Sequence, residues 1–311
     1  MGTFYTVQFL NDGSQSTHDL DTEIEALLGE FGNQLSNWNE NSWINQFNEA
    51  RVGEPLLVPD HALEVIKRSL ALAEKSEGIL DPTIGPLIEL WGFGTVSHQE
   101  VPSQEDIDQT LLRVGYQNLQ FDPIGRTLEK TIPGLELNCS AIAKGYAVDL
   151  VAEMLHTNGI ENYLINMGGE VRAHGLRLDG QPWKVGLRQP VFQGRESKTV
   201  RSIELHNQAL ATSGHAHRSF EINGKRYSHI LNPRTGQPVP VSTASATVIA
   251  PTCALADGLA TLALILDEAQ MQELTKQFED VEVFYTQWST ERLARRSSPT
   301  SPDTRHLNTL F

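Results

Sequence analysis

"ELNCSAIAKGYAVDLVAEML", residues 136–155, decides how the fold is read. It begins as the end of a strand and continues as a helix, with Ala143, Ala147, Leu150, Val151, Met154 and Leu155 at helical spacing on one side and a stop at Asn158-Gly159. Its first turns are unusual. Small residues open the helix, and Lys144 and Gly145 follow inside it. A glycine in a helix interior costs about 1 kcal/mol relative to alanine, so the backbone at 145 is expected to be approached closely by something. The proposed visitor is a ligand.

Working outward, "MGTFYTVQFL" alternates like a strand, and Leu20, Ile24, Leu27, Leu28 and Phe31 mark a helix. Leu63, Ile66, Leu70 and Ala73 mark a second helix, stopped by Gly78. Strand-like "NYLINMGGEVRAHG" follows the central helix at once. "SFEINGKRYSHIL" places two extended arms around Asn223-Gly224, a hairpin signal because both turn residues tolerate positive φ, with His229 on the second arm. "SATVIA" reads as a buried strand and "TCALADGLATLALIL" as a helix capped by Thr252. From Ser289 to Phe311 the periodicity fades into Ser, Thr, Pro and Arg, which predicts a mobile tail after one domain over 1–288. Irregular alternation of helices and strands with a clear hairpin favours an α+β fold with a mostly antiparallel sheet over a doubly wound parallel one.

The 311 residues are 39% hydrophobic, enough for a packed core. Lys+Arg 24 against Asp+Glu 39 gives a net charge of −15, a field that repels nucleic acid. An anionic ligand therefore needs a local positive site or a metal. The two cysteines, Cys139 and Cys253, form no disulfide framework and no zinc spacing. No apolar run is long enough to span a membrane, and the opening residues lack a signal peptide pattern, as expected of a chain whose export signal has been trimmed.

Asp257 and Thr261 stand one turn apart in the last apolar helix. A buried carboxylate there must be paired, protonated or bound to a cation. A carboxylate and a hydroxyl are hard oxygen ligands suited to Mg²⁺, while a cap or salt bridge is the plainer alternative. Glycines cluster in "DPTIGPLIELWGFG", "MGGE", "TSGH" and "NPRTGQP", either as tight turns or where backbone meets a planar ligand. No G-x-G-x-x-G, Walker A or G-x-S-x-G motif is present. His215, His217 and His229 raise a zinc reading against that of polar residues around a hairpin.

Eight motifs in series, "MGTFYTVQ", "LSNWNENSWINQFN", "DPTIGPLIELWGFG", "SAIAKGYAVD", "YLINMGGEVRAHG", "ATSG", "RYSHILNPRTGQPV" and "VIAPTCALADGLAT", resemble the ApbE family, the FAD:protein FMN transferases. The resemblance runs from Met1 to about Leu266. It implies an enzyme that binds FAD with Mg²⁺, cleaves the pyrophosphate, releases AMP and joins FMN to a threonine hydroxyl of an acceptor protein, a subunit of a membrane redox complex. It further implies that Ala141 (by its carbonyl), Asp257 and Thr261 hold the metal, and that Met1, Trp38, Ile79, Leu80, Asp81, Asn138, Lys144 and Leu231 line the FAD. His229 is then the catalytic base. Small residues from Ser140 would admit the pyrophosphate, with Gly145 leaving room beside it, and Lys144 would add charge or pair with a carboxylate such as Asp149. Asn138 stands where the family has Asp, and His215 where an acid or small polar residue is usual. The family's exported, membrane-anchored members imply a periplasmic or cell-envelope location. Hydrolysis of FAD to FMN and AMP, or flavin carriage without turnover, are the competing functions.

Overall fold

The computed structural model describes residues 3–11, 16–188, 190, 199–215 and 218–288, and the backbone of 295–297. Its centre is a seven-stranded sheet in the order Tyr5–Phe9, Tyr163–Met167, Glu170–His174, Ala209–Gly214, Thr243–Ala250, Glu282–Gln287 and Arg295–Ser297, every neighbour antiparallel. The α+β expectation holds. Helices Ser140–Thr157 and Cys253–Ile265 pack against each other and on one face of this sheet. Helices Thr17–Leu35 and Asp60–Lys75 pack outside helix 140–157.

The pleat sorts side chains between two cores. Along strand 209–214, Ala209 and Ala211 face the helices, whereas Leu210 faces the other side with Val171, Ala173 and Ile249. That second face is covered by Trp183, Ile203 and Leu205 of the hairpin Trp183–Arg188 and Thr199–Leu205. A third cluster joins Leu87, Trp91, Phe93, Ile107, Phe220 and Leu231. It carries the hairpin Ser219–Ile222 and Lys225–Ser228, whose turn has φ +52° at Asn223 and +76° at Gly224, as its sequence predicts. His229 lies one residue beyond the second arm, not on it.

Helix 140–157 differs from its amphipathic reading. Gly145, Tyr146, Val148 and Ala152 are buried along with the expected Ala143, Ala147, Leu150, Val151 and Leu155, so it is sandwiched between the sheet and the outer helices. The visitor at Gly145 is protein. A Cβ there would stand 2.2 Å from the Cys253 carbonyl oxygen and 2.8 Å from the Ala254 nitrogen, so the expected room for a pyrophosphate is taken by the start of helix 253–265. Asp149, one turn further, receives the Cys253 and Ala254 N–H groups, each at 2.9 Å, and the Arg172 guanidinium at 2.5 Å. A carboxylate at a helix N-terminus satisfies unpaired amides and complements the dipole. Thr252 also caps, accepting from the Leu255 N–H at 3.4 Å. The "NPRTGQP" glycine is a turn: Gly236 has φ +67°, and its carbonyl accepts from the Trp91 indole at 2.8 Å.

Within the segment read as a mobile tail, Arg295–Ser297 pairs with Phe284–Thr286 as the sheet edge. The rest of 289–311 lies outside the described residues.

His215, just past strand 209–214, is buried and ties the hairpin to the sheet through Nδ1, 2.7 Å from the Ser228 hydroxyl. Its Nε2 finds no hydrogen-bond partner among the described residues. Burial, and secondly the neighbouring His229, push its pKa down to about 4.

Two predictions follow from this packing. Gly145→Ala is expected to destabilise by about 1–3 kcal/mol or more, because backbone cannot yield to the new methyl, whereas Gly29→Ala, with nothing within 4 Å, gains about 0.5–1 kcal/mol; urea unfolding of both variants checks the contrast. Below an unfolded-state pKa near 6.5 the unfolded chain binds a proton that folded His215 refuses, so stability falls as pH drops from about 6.5 to 4. His215→Gln should remove about 3 kcal/mol of that acid loss, read as a difference in unfolding free energy between variant and parent across the window.

Candidate active site

The N-terminus of helix 140–157 is assembled by amides. Asn138 accepts the Ser140 N–H on Oδ1 at 3.1 Å, and its own N–H reaches the Pro82 carbonyl at 2.7 Å. Asn37 and Asn48 donate to the Leu137 carbonyl at 2.9 and 3.1 Å, and Asn45 holds the Asn37 and Asn39 carbonyls. The asparagines of "LSNWNENSWINQFN" thus fasten the 36–42 turn against the entry to the helix. That turn presents Trp38, which remains 58% exposed.

One turn into the helix, Lys144 forms an ion pair with Glu170 Oε1, and its Nζ lies 3.9 Å from Asp257 Oδ1. The partner anticipated for it, Asp149, is instead committed to Arg172 and helix 253–265. Asp257 Oδ2 accepts the Gly145 N–H at 2.9 Å. In a regular helix that N–H serves the Ala141 carbonyl four residues back, so the carboxylate comes to the helix backbone beside Ala141. Glu170 is 1% exposed, follows the Gly168-Gly169 turn, and its Oε2 finds no partner among the described residues. The "MGGE" glycines therefore make a tight hairpin that delivers a buried acid.

Two buried carboxylates face one ammonium, a cluster that is negative when fully ionised. Burial first, and then Glu170, push the Asp257 carboxyl up to about 7, with Lys144 and the Gly145 N–H opposing. Glu170 is also raised by burial, with Lys144 counteracting. Burial works against the Lys144 ammonium, but Asp257 and Glu170 carry its pKa above the ordinary lysine range. The Lys144 side chain is 40% exposed, so the cluster opens to solvent on that side.

Thr261 Oγ1 lies 3.1 Å from Ser213 Oγ and 3.4 Å from the Asp257 carbonyl. Thr261 and Asp257 therefore share a helix face, as their spacing predicts, and Ser213 joins them from strand 209–214. Carboxylate, hydroxyl and carbonyl oxygens form a hard donor set that fits Mg²⁺. The uncompensated negative charge and the unpartnered Glu170 Oε2 agree with a cation in this place.

A second group surrounds Arg218. Its guanidinium lies 5.1 Å over the Trp38 ring, and Nη1 reaches the Phe93 carbonyl at 3.5 Å. The Arg218 carbonyl accepts from His229 twice, from the backbone N–H at 3.1 Å and from Nδ1 at 2.9 Å. A carbonyl can only accept, so in the neutral ring the proton is on Nδ1 and the lone pair on Nε2. Phe93 flanks the same imidazole, ring centroids 6.3 Å apart. The two groups are linked by the Asn37–Leu137 contact and by strand 209–214, which carries Ser213 toward one and leads to His215 beside the other.

Other residues expected to line the FAD have their side chains engaged within the protein. Ile79, Leu80 and Leu231 have buried side chains in the cores. The Asp81 carboxylate is held by the Thr83 N–H at 2.8 Å, the Thr83 hydroxyl at 2.6 Å and the Tyr116 N–H at 3.0 Å. It braces the 81–83 turn that Asn138 touches. Met1 and His217 lie outside the described residues. Of the histidines in the zinc reading, His215 is tied to Ser228 and His229 to Arg218. Glu170 and Arg218 were missed. The acid after "MGG" is the available signal, because a glutamate at the start of a buried strand is rarely enclosed unless it is paired.

Residues 1–285 match the family model of the ApbE family. The FAD:protein FMN transferase of Vibrio cholerae serotype O1 is 39% identical over 270 residues, covering 86% of this chain and 80% of that protein. That of Haemophilus influenzae is 36% identical over 285 residues, covering 89% and 81%. The structure of the flavin transferase ApbE from Vibrio cholerae superposes with a TM-score of 0.85 at 36% identity, over 96% of this chain and 94% of that one. Matched over most of its length in sequence and in fold, the chain belongs to the ApbE family.

Proposed function

We propose that this chain is an FAD:protein FMN transferase that uses Mg²⁺ and a threonine hydroxyl of the acceptor protein. The observation that carries the proposal is the buried pair Asp257 and Glu170, which Lys144 alone among the described residues balances, within a chain whose relatives bear that activity. In this reading Asp257, Thr261 and the Ala141 carbonyl hold the ion, with Asp257 steered to the helix backbone by the Gly145 N–H. Magnesium, when bound there, supplies positive charge to the pyrophosphate oxygens and favours departure of AMP.

The chain's own groups do the rest. The acceptor hydroxyl oxygen bonds to the FMN phosphorus while the bond from that phosphorus to the bridging oxygen breaks, and the bridging oxygen leaves on AMP. His229, with Nδ1–H held by the Arg218 carbonyl, takes the hydroxyl proton on Nε2. Lys144, fixed by Glu170, offsets phosphate charge in a chain of net charge −15. Trp38 offers an exposed ring for a planar group, and Arg218 over it orients that surface. Family resemblance supports an acceptor in a membrane redox complex and work on the envelope side of the membrane. Among the described residues, no helix is long and apolar enough to cross one.

Incubation with FAD, Mg²⁺ and a threonine-bearing acceptor tests the reading: flavin that stays with the denatured acceptor is expected, whereas free FMN alone means hydrolysis and no AMP means carriage. Asp257→Ala should lower Mg²⁺-dependent transfer by about 100-fold or more, and unchanged turnover counts against it as a ligand. His229→Ala should leave FAD affinity within about threefold while slowing transfer by about 10²–10⁴. A large loss of FAD affinity would make it a binding residue instead.

A further inference from the structure

A second cluster of metal-ligating groups sits at the far end of helix 140–157. His156 is on the last turn, Glu161 in the connection that follows, and His174 on the strand paired with the one entered next. A nitrogen from each ring and a carboxylate oxygen of Glu161 lie within 4.8 Å of one another. His156 Nδ1 is 3.3 Å and His174 Nδ1 3.7 Å from Glu161 Oε2. The rings meet edge to face, centroids 4.6 Å apart. From Lys144 the cluster is twelve residues along the helix, about 18 Å at 1.5 Å per residue, so it is separate from the active site.

The surroundings hold these groups in place. His156 Nε2 is 2.9 Å from the Tyr163 hydroxyl, which turns Nδ1 toward Glu161. Tyr163 is buried and stands directly across the strand pair from His174, their rings stacked at 5.8 Å. The Glu161 carbonyl accepts from His174 Nδ1 at 2.8 Å, which places the proton there, pins the second ring and leaves Nε2 as its ligating nitrogen. Ligating imidazoles are commonly oriented in this way through contacts of the ring with a hydroxyl or carbonyl. Two imidazoles and a carboxylate suit zinc and its transition-metal neighbours, not Mg²⁺, which prefers all-oxygen sites. The three side chains are only partly exposed or lie at the surface, so an ion can enter from solvent and keep water as its remaining ligand.

We propose that His156, Glu161 and His174 form a zinc-binding site, distinct from the Mg²⁺ site, that staples the end of helix 140–157 to strand 170–174. The test uses the tag-free full chain, stripped with chelator and held in excess Mg²⁺, titrated with Zn²⁺ by calorimetry and with Co²⁺ as an absorbing probe. The expected result is about one Zn²⁺ per chain, with affinity falling about tenfold or more in His174→Ala and in Glu161→Gln, and unchanged in Asp257→Ala. Glu161→Gln alters an exposed loop side chain and keeps the test valid should His174→Ala fold poorly. Absence of binding in excess Mg²⁺, binding that persists in both cluster variants, or binding lost in Asp257→Ala would each overturn the proposal. None of these readouts depends on transfer activity.

Discussion

Asp257 crosses from helix 253–265 to the Gly145 N–H of helix 140–157, and it can do so only because no side chain keeps the two helices apart. The missing Cβ at 145 lets backbone rest on backbone. Once the helices touch, Asp149 reaches the amides at the start of helix 253–265, and Lys144 on the neighbouring helical position reaches Asp257 and Glu170. The contact is thus a packing feature with an electrostatic result. It gathers a carboxylate pair in a place where burial resists ionisation, a resistance that a bound cation would remove.

Much of this is legible in the sequence. Helical spacing located helices 17–35 and 60–75, Asn223-Gly224 marked a hairpin, and the one-turn offset of Asp257 and Thr261 put them on a common face. These are local signals, readable because periodicity and positive φ belong to adjacent residues. Gly145 was read correctly as a point of close approach and wrongly as a place for ligand. A glycine reports that space is needed, and the identity of the occupant depends on residue 253, more than a hundred positions away.

The same limit explains the pairings. Lys144 had several acids within reach in principle, and Asp149 is near it in sequence. The i,i+5 offset, however, points the two side chains to different parts of the helix surface, and the sheet brings Glu170 across instead. Arg218 carried no motif, since its work is done by a main-chain carbonyl and by a ring it covers. Ile79, Leu80 and Leu231 illustrate the converse: residues expected at a site have their side chains in the core.

The central claim is that the Asp257 region is a hard-cation site. Soaking crystals with Mn²⁺, a Mg²⁺ surrogate that scatters anomalously, together with an adenine dinucleotide, locates the ion without reference to turnover. The predicted result is an anomalous peak at ligand distance from the Asp257 carboxylate and the Thr261 hydroxyl. A peak elsewhere, with Asp257 still on the Gly145 N–H and Lys144, would contradict it.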